Sequence, residues 1–143
     1  IRAGTAGEFA YHLLVPRAHE PALRAAIEAL AERFALRSID RAALSLAALE
    51  QGSFDVEHGA VRTLTPIELQ LQWRIDYAAG APGIAALRAL RASGEAGRVT
   101  WCVGPALPGV GAPVRLRGRA IGTIVHAARS PALAAVVALA LLE

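Results

Sequence analysis

The hydrophobic period of the chain changes near residues 94–98, and that change bounds the fold more tightly than any other feature. Before it, apolar residues recur every three or four positions. In "HEPALRAAIEALAERFA" Leu23, Ala26, Ile27, Leu30 and Phe34 share one face, while Arg24, Glu28, Glu32 and Arg33 fall mostly on the other. That spacing predicts an amphipathic helix over 20–35, with Pro21 in the first turn, where a missing N–H costs nothing. A second helix is expected over 38–51, with Ser38 as N-cap and Gly52 as C-cap, and a third over 83–92, stopped by Gly94. After the change, short apolar runs alternate with Gly and Pro: "RVTWCVG", "APVRLRG", "RAIGTIVHAA" and "AAVVALALL". These read as strands of a small β-barrel or sandwich. The fold class is therefore α+β, with a boundary at 95/96.

The remaining segments are less regular. "FAYHLLV", residues 9–15, is a strand candidate closed by Pro16. Residues 55–64 read as a loop. Thr65 is expected to cap a short helical turn opened by Pro66, and residues 75–77 to be extended before the breaker cluster "AAGAPG".

Composition narrows the chemistry. At 143 residues with 55% hydrophobic and 5% aromatic side chains, the chain can bury a core of small aliphatics. All 15 basic residues are arginines, and the net charge is only +3. The Arg and Ala excess reads as a bias of coding composition rather than as adaptation to nucleic acid, whose binders cluster charge and interleave aromatics. The nearest approach to a cluster is "RLRGR", where alternation places Arg115, Arg117 and Arg119 on one side of a strand and turn, read as a solvated face. Cys102 stands alone, which excludes an internal disulfide and a multi-cysteine zinc site, and it reads as a small buried hydrophobe. The closing run "PALAAVVALALLE" has roughly a dozen apolar residues against the ~20 a membrane helix needs, so it reads as a buried terminal strand or short helix. No signal peptide is recognised, and a cytoplasmic protein is expected. The chain opens "IRAG" and contains no Met, from which a larger or processed parent chain is expected.

Motif searching excludes several chemistries. His12, His19, His58 and His126 lack metal-ligand spacing, so no metal site is expected. His12 alternates with Tyr11 and Leu13, for which packing or exposure is the default. Asp55 and Glu57 read as solvated loop acids. "AGTAGE" lacks the Lys-Ser/Thr ending of a phosphate loop, and no G-x-S-x-G anchors a nucleophile.

Several motifs in order nonetheless resemble one family. "RAGTAGEFAYHLLVP", residues 2–16, fits a segment of the form R-T-G-Y-T-G-E-D-G-F-E-L-Y-V-P without a gap, keeping Arg2, Gly4, Gly7, Glu8, Leu13, Val15 and Pro16. "AALEQG" matches the end of a helix like L-R-L-E-A-G at Glu50 and Gly52. In "LTPIELQLQW", residues 64–73, Thr65, Pro66 and Glu68 form T-P-x-E, with Trp73 seven positions after the Pro. "IDYAAGAPGI" loosely follows V-D-F-x-K-G-x-F-I-G. "GRAIGTIVHAARSPALAAVVALALL" echoes a closing pattern of two glycines, Ser-Pro and an apolar run. Together these resemble the C-terminal half of the aminomethyltransferase, or glycine cleavage T-protein, family.

The resemblance implies a cloverleaf of three domains around tetrahydrofolate, and transfer of an aminomethyl or methyl group to or from that cofactor. By it, residues 1–95 belong to the folate-binding aminomethyltransferase-like domain, as strand and helix segments, and 96–143 form a small C-terminal β-barrel. An Asp in the N-terminal half orients the folate nitrogen, so the catalytic residues in this chain are unknown. The implied partners are that missing half or a companion subunit, and a folate-like small molecule, with no nucleic acid or membrane. The folate-binding candidates are Thr5 and His12, at the Tyr and Glu positions of the first motif; Arg41, one turn before Leu44, which takes the family's Arg position; Phe54, beside Ser53 at an aromatic position; and Trp73, expected near the central cleft. Ala79 occupies the position of the family's Lys. A sister group, linked to iron–sulfur and tRNA-modification maintenance, carries K-G-C-Y-x-G-Q-E where this chain has "AAGAPGIAA". The alternative expectation is thus a non-catalytic folate-fold relative acting as a binding or assembly subunit.

Overall fold

The computed structural model describes residues 1–2, 4, 6–7, 9–53, 61–94, 96–106 and 108–143. The chain divides into two units, Ile1–Ser53 and Phe54–Glu143. The second unit spans the 95/96 position at which the hydrophobic period changes.

In the first unit, the N-terminal segment pairs with itself as a minimal ladder. Arg2 bridges Tyr11 antiparallel, and Ile1 and His12 exchange two main-chain bonds, His12 N–H to Ile1 C=O at 2.8 Å and the Ile1 ammonium to His12 C=O at 2.9 Å. Residues 9–15 therefore do not form the strand expected of them. Period-2 apolarity fits a pleated surface only where a neighbouring strand completes the ladder.

The expected 20–35 helix is present in two pieces, α1 (Glu20–Glu28) and α2 (Ala31–Phe34). Leu30 N–H bonds Ile27 C=O at 3.0 Å, a tightened turn that interrupts the regular helical spacing. The second piece ends at Ala35 with φ +51, where Leu36 N–H reaches back to Ala31 C=O at 2.9 Å. This is the Schellman closure with Ala in the usual Gly place.

Helix α3 (Arg41–Glu50) starts later than expected. Asp40, not Ser38, is its N-cap, with a carboxylate oxygen accepting from Ala43 N–H at 2.7 Å. A carboxylate at this place satisfies an orphan donor and also faces the positive end of the helix dipole. At the other end the Gly52 expectation holds. Gly52 has φ +68, and Ser53 N–H bonds Ala48 C=O at 2.8 Å.

In the second unit, α4 (Ile84–Ser93) runs between Gly83 and Gly94, both in the left-handed region. Asp76 closes an Asx turn onto Ala78 N–H at 2.9 Å, so the expected extended piece at 75–77 is limited to Ile75. Four strands follow: β1 (Arg98–Gly104), β2 (Pro113–Leu116), β3 (Arg119–Ser130) and β4 (Ala135–Leu142). They form one antiparallel sheet in the order β1-β4-β3-β2. Three consecutive strands run as a meander and β1 returns beside β4, a Greek-key order.

The sheet is not closed into the expected barrel. β1 and β2 stand at opposite edges, and β2 offers only four residues for pairing. Closure requires the two edge strands to meet with a matching shear, which so narrow a sheet does not supply. The centre is β4, where residues 136–140 are all buried, as its unbroken apolar run demands of a strand covered on both faces. One face gathers Ile124, Ala138 and Ala140 with Cys102, Val114, Ala127 and Leu142 around them. Val99, Val137 and Leu139 are buried on the other.

Two turns hold the meander. Arg117 (φ +50) and Gly118 (φ +83) are both left-handed, the requirement of a two-residue I′ hairpin. That reversal also corrects the arginine alignment. Arg115 lies opposite Ala120 and Arg119 opposite Leu116, so Arg115 and Arg119 emerge on opposite faces of the sheet. At the β3–β4 turn, Ser130 is fully buried and its Oγ accepts from Leu133 N–H at 2.9 Å.

Candidate functional site

The T-P-x-E motif has a defined structural role. Thr65 Oγ1 and Thr65 N–H both donate to Glu68 Oε2, at 2.7 and 2.6 Å, while Glu68 N–H reaches Thr65 Oγ1 at 3.3 Å. This is a reciprocal capping box: each side chain satisfies the other residue's backbone donor. Pro66 fits between them because its position needs no N–H, and its carbonyl accepts Leu71 N–H at 2.7 Å. Thus Thr65 caps the turn as expected, and the acidic residue two places after the Pro is the other half of the cap.

The same turn is fastened to the sheet. Glu68 C=O accepts Val99 N–H at 2.9 Å, and Gln70 Nε2 donates to Val99 C=O at 2.6 Å. Gln70 has φ +58, a conformation costing a non-glycine residue about 1–2 kcal/mol. Sequence reading missed this residue, and no local signal marks it. Leu71 N–H bonds Pro66 C=O at 2.7 Å and Gln70 N–H bonds Ile67 C=O at 2.9 Å, so this is a Schellman closure like that at Ala35, with Gln in the usual Gly place.

The expected folate contacts are distributed as follows. Thr5 and Phe54 lie outside the described residues. His12 is exposed, with its backbone committed to Ile1. Arg41 is the exposed first residue of α3, directly after the Asp40 cap, with Leu44 one turn on. Trp73 sits in a short 3₁₀ turn (Gln72–Arg74), 73% exposed, with the Arg74 guanidinium 5.0 Å from its ring centre. His12 and Arg41 belong to the first unit and Trp73 to the second.

A concave surface lies elsewhere in the first unit. A groove of about 320 Å³ runs between α1, Ala31 and residues 36–38. Leu23, Ile27 and Leu36 supply its apolar wall, and Glu20, Arg24 and Arg37 its charged lining, with Arg24 paired to Glu20 at 3.1 Å. Such a groove suits an apolar group flanked by charge. Among the described residues of this unit, neither His12 nor Arg41 lines it.

Among the described residues, no three His, Cys, Asp or Glu side chains are grouped to hold a metal ion, and no helix is long and apolar enough to cross a membrane. No family model matches the chain, and no curated protein matches it.

Proposed function

We propose that this chain is the C-terminal part of a T-protein-like protein that carries out tetrahydrofolate-dependent one-carbon transfer, aminomethyl or methyl. The observation that carries the proposal is the ordered series of family-like motifs, "LTPIELQLQW" at their centre. It is supported by the physical need for those residue types at their places. Thr65 and Glu68 make the capping box, Gly118 makes the I′ turn, and Ser130 closes the β3–β4 connection. Gly122 leaves no room for a Cβ, which would lie 2.1 Å from Leu141 O. Under this proposal the sheet of the second unit corresponds to the C-terminal domain of a cloverleaf.

The chemistry would be completed by a companion half. A pterin ring needs apolar and aromatic walls and an acceptor for its N–H edge. Thr5, His12, Arg41, Phe54 and Trp73 would contribute from this chain, while the orienting carboxylate would come from the N-terminal half or a separate subunit. A neutral His12 offers one acceptor nitrogen where the family's carboxylate offers two oxygens.

The second reading is a non-catalytic relative, a folate-fold binding or assembly subunit. It is favoured by the substitutions at Thr5, His12 and Leu44, which remove the family's ligand-contacting side chains while the scaffold residues are retained. Calorimetric titration of the full-length protein with tetrahydrofolate tests both. Saturable binding with turnover of a one-carbon donor supports the transferase. Binding without turnover supports the binding subunit. Absence of binding at millimolar ligand overturns the transferase and leaves the assembly subunit.

A further inference from the structure

Helix α1 sorts its side chains into neighbouring rows, because positions three and four apart share a face. Glu20, Arg24 and Glu28 make one row, about 12 Å from end to end, and Leu23 and Ile27 make the row beside it. After α2 the left-handed Ala35 turns the chain back, and Leu36 N–H closes onto Ala31 C=O at 2.9 Å. That return brings Leu36, Arg37 and Ser38 to line the same groove of about 320 Å³ as the two rows of α1. All of these residues belong to the unit Ile1–Ser53.

The apolar wall is left open to solvent, with Ile27 41% and Leu36 39% exposed. Two acids and two arginines line the groove. Glu20 and Arg24 neutralise each other at 3.1 Å. Among the described residues, the side chains of Glu28 and Arg37 have no ion-pair or hydrogen-bond partner. The groove is thus neutral in sum, yet it keeps one free carboxylate and one free guanidinium beside aliphatic side chains. A simple carboxylate would satisfy Arg37 and bring like charge to Glu28, and a simple amine would do the reverse. A ligand with both charges on an apolar body complements all three features.

We infer that this groove binds a short zwitterionic peptide with apolar side chains. The peptide's ammonium pairs with Glu28, and its carboxylate pairs with Arg37, whose planar fork matches two oxygens. Its side chains cover Leu23, Ile27 and Leu36. Glu28 lies on α1 and Arg37 on the returning segment, so the two charges come from different walls. A free amino acid carries both its charges on one carbon, whereas a peptide separates them. The volume falls at the low end of the range for small-molecule sites, about 300–1,000 Å³, which limits the ligand to a few residues. The inference does not depend on the one-carbon reading, since neither His12 nor Arg41 lines the groove.

The test is an NMR titration of the full-length protein with the dipeptide leucyl-leucine, its N-acetyl form, its C-terminal amide and free leucine. Leucyl-leucine should move the amide signals of Leu23, Ile27, Leu36 and Arg37 saturably at millimolar concentration, and free leucine should bind more weakly. Each capped form should bind about two- to fivefold more weakly than the free dipeptide, the range of an exposed ion pair. Glu28→Gln should weaken the free dipeptide without weakening the N-acetyl form further, and Arg37→Gln should do the same with respect to the amide. Ile27→Ser, at a part-exposed position, should weaken all of them. Absence of saturable shifts at these residues, a capped form or leucine binding as tightly as the free dipeptide, or a variant that weakens both capped forms equally would each overturn the inference. So would a concentration-dependent dimer lost in Ile27→Ser by sedimentation, which would show a second copy covering the groove instead.

Discussion

Replacing Gly122 with Ala tests most directly how β3 and β4 fit together. A Cβ on Gly122 would lie 2.1 Å from Leu141 O, 2.9 Å from Leu142 Cα and 3.0 Å from Leu141 C. All three atoms are backbone of the central strand, so no rotamer change relieves the clash. Restoring a tolerable 3.0 Å to the carbonyl oxygen alone requires about 0.9 Å of separation. A ladder bond near 2.9 Å stretched that far is no longer a hydrogen bond. Losing one or two ladder bonds costs about 1 kcal/mol each, and overpacking a close-packed site adds about 1–3 kcal/mol. The expected destabilisation is therefore about 2–5 kcal/mol, a large share of a typical domain stability of about 5–15 kcal/mol. Urea or thermal unfolding of Gly122→Ala beside the wild type measures it, with a melting point lower by roughly 5 °C or more. Gly104→Ala is the control, because nothing lies within 4 Å of its Cβ and its φ is not positive. Gly122→Ala within about 1 kcal/mol of the wild type, or no better separated from Gly104→Ala, would refute the close approach.

Three further substitutions check other elements. Ser130→Ala removes the acceptor of the Leu133 N–H in a part-buried bond and should cost about 0.5–1.5 kcal/mol by urea unfolding. Thr65→Ala removes half of the capping box and should cost about 0.5–2 kcal/mol, with amide exchange at Glu68 reporting the lost cap. Trp73→Ala should change stability by less than about 1 kcal/mol, because a ring 73% exposed has little burial to lose. If Trp73 contacts folate as proposed, the same variant should weaken tetrahydrofolate binding while leaving the melting point in place.

The strand half of the chain was the more legible part. Residues 98–104 were expected as a strand and are one, to the residue, because Gly97 and Pro105 bracket an apolar β-branched and aromatic run. The helix over 83–92 matched Ile84–Ser93 because glycines punctuate both ends. The 9–15 run failed for the complementary reason. Alternation shows which face would be apolar, not whether a neighbouring strand exists to pair with it. The Ser38 cap failed because a hydroxyl and a carboxylate two residues apart compete, and sequence alone does not weigh them. Of the candidate site, Thr65 and Glu68 were legible as a local pair. Gln70 was not, since the partner of its side-chain amide is Val99, 29 residues away.

The sequence by itself determined the α+β class, the four strand segments and most element ends, because those follow from local periodicity and from what Gly, Pro, Asp and Thr do to their own backbone. Only the tertiary structure decided the strand order, the open edges of the sheet and the opposite faces taken by Arg115 and Arg119. It alone fastened the 65–71 turn across Val99. Each of these depends on which distant backbone groups pair, a matter of ladder geometry and close approach between segments that no local pattern encodes.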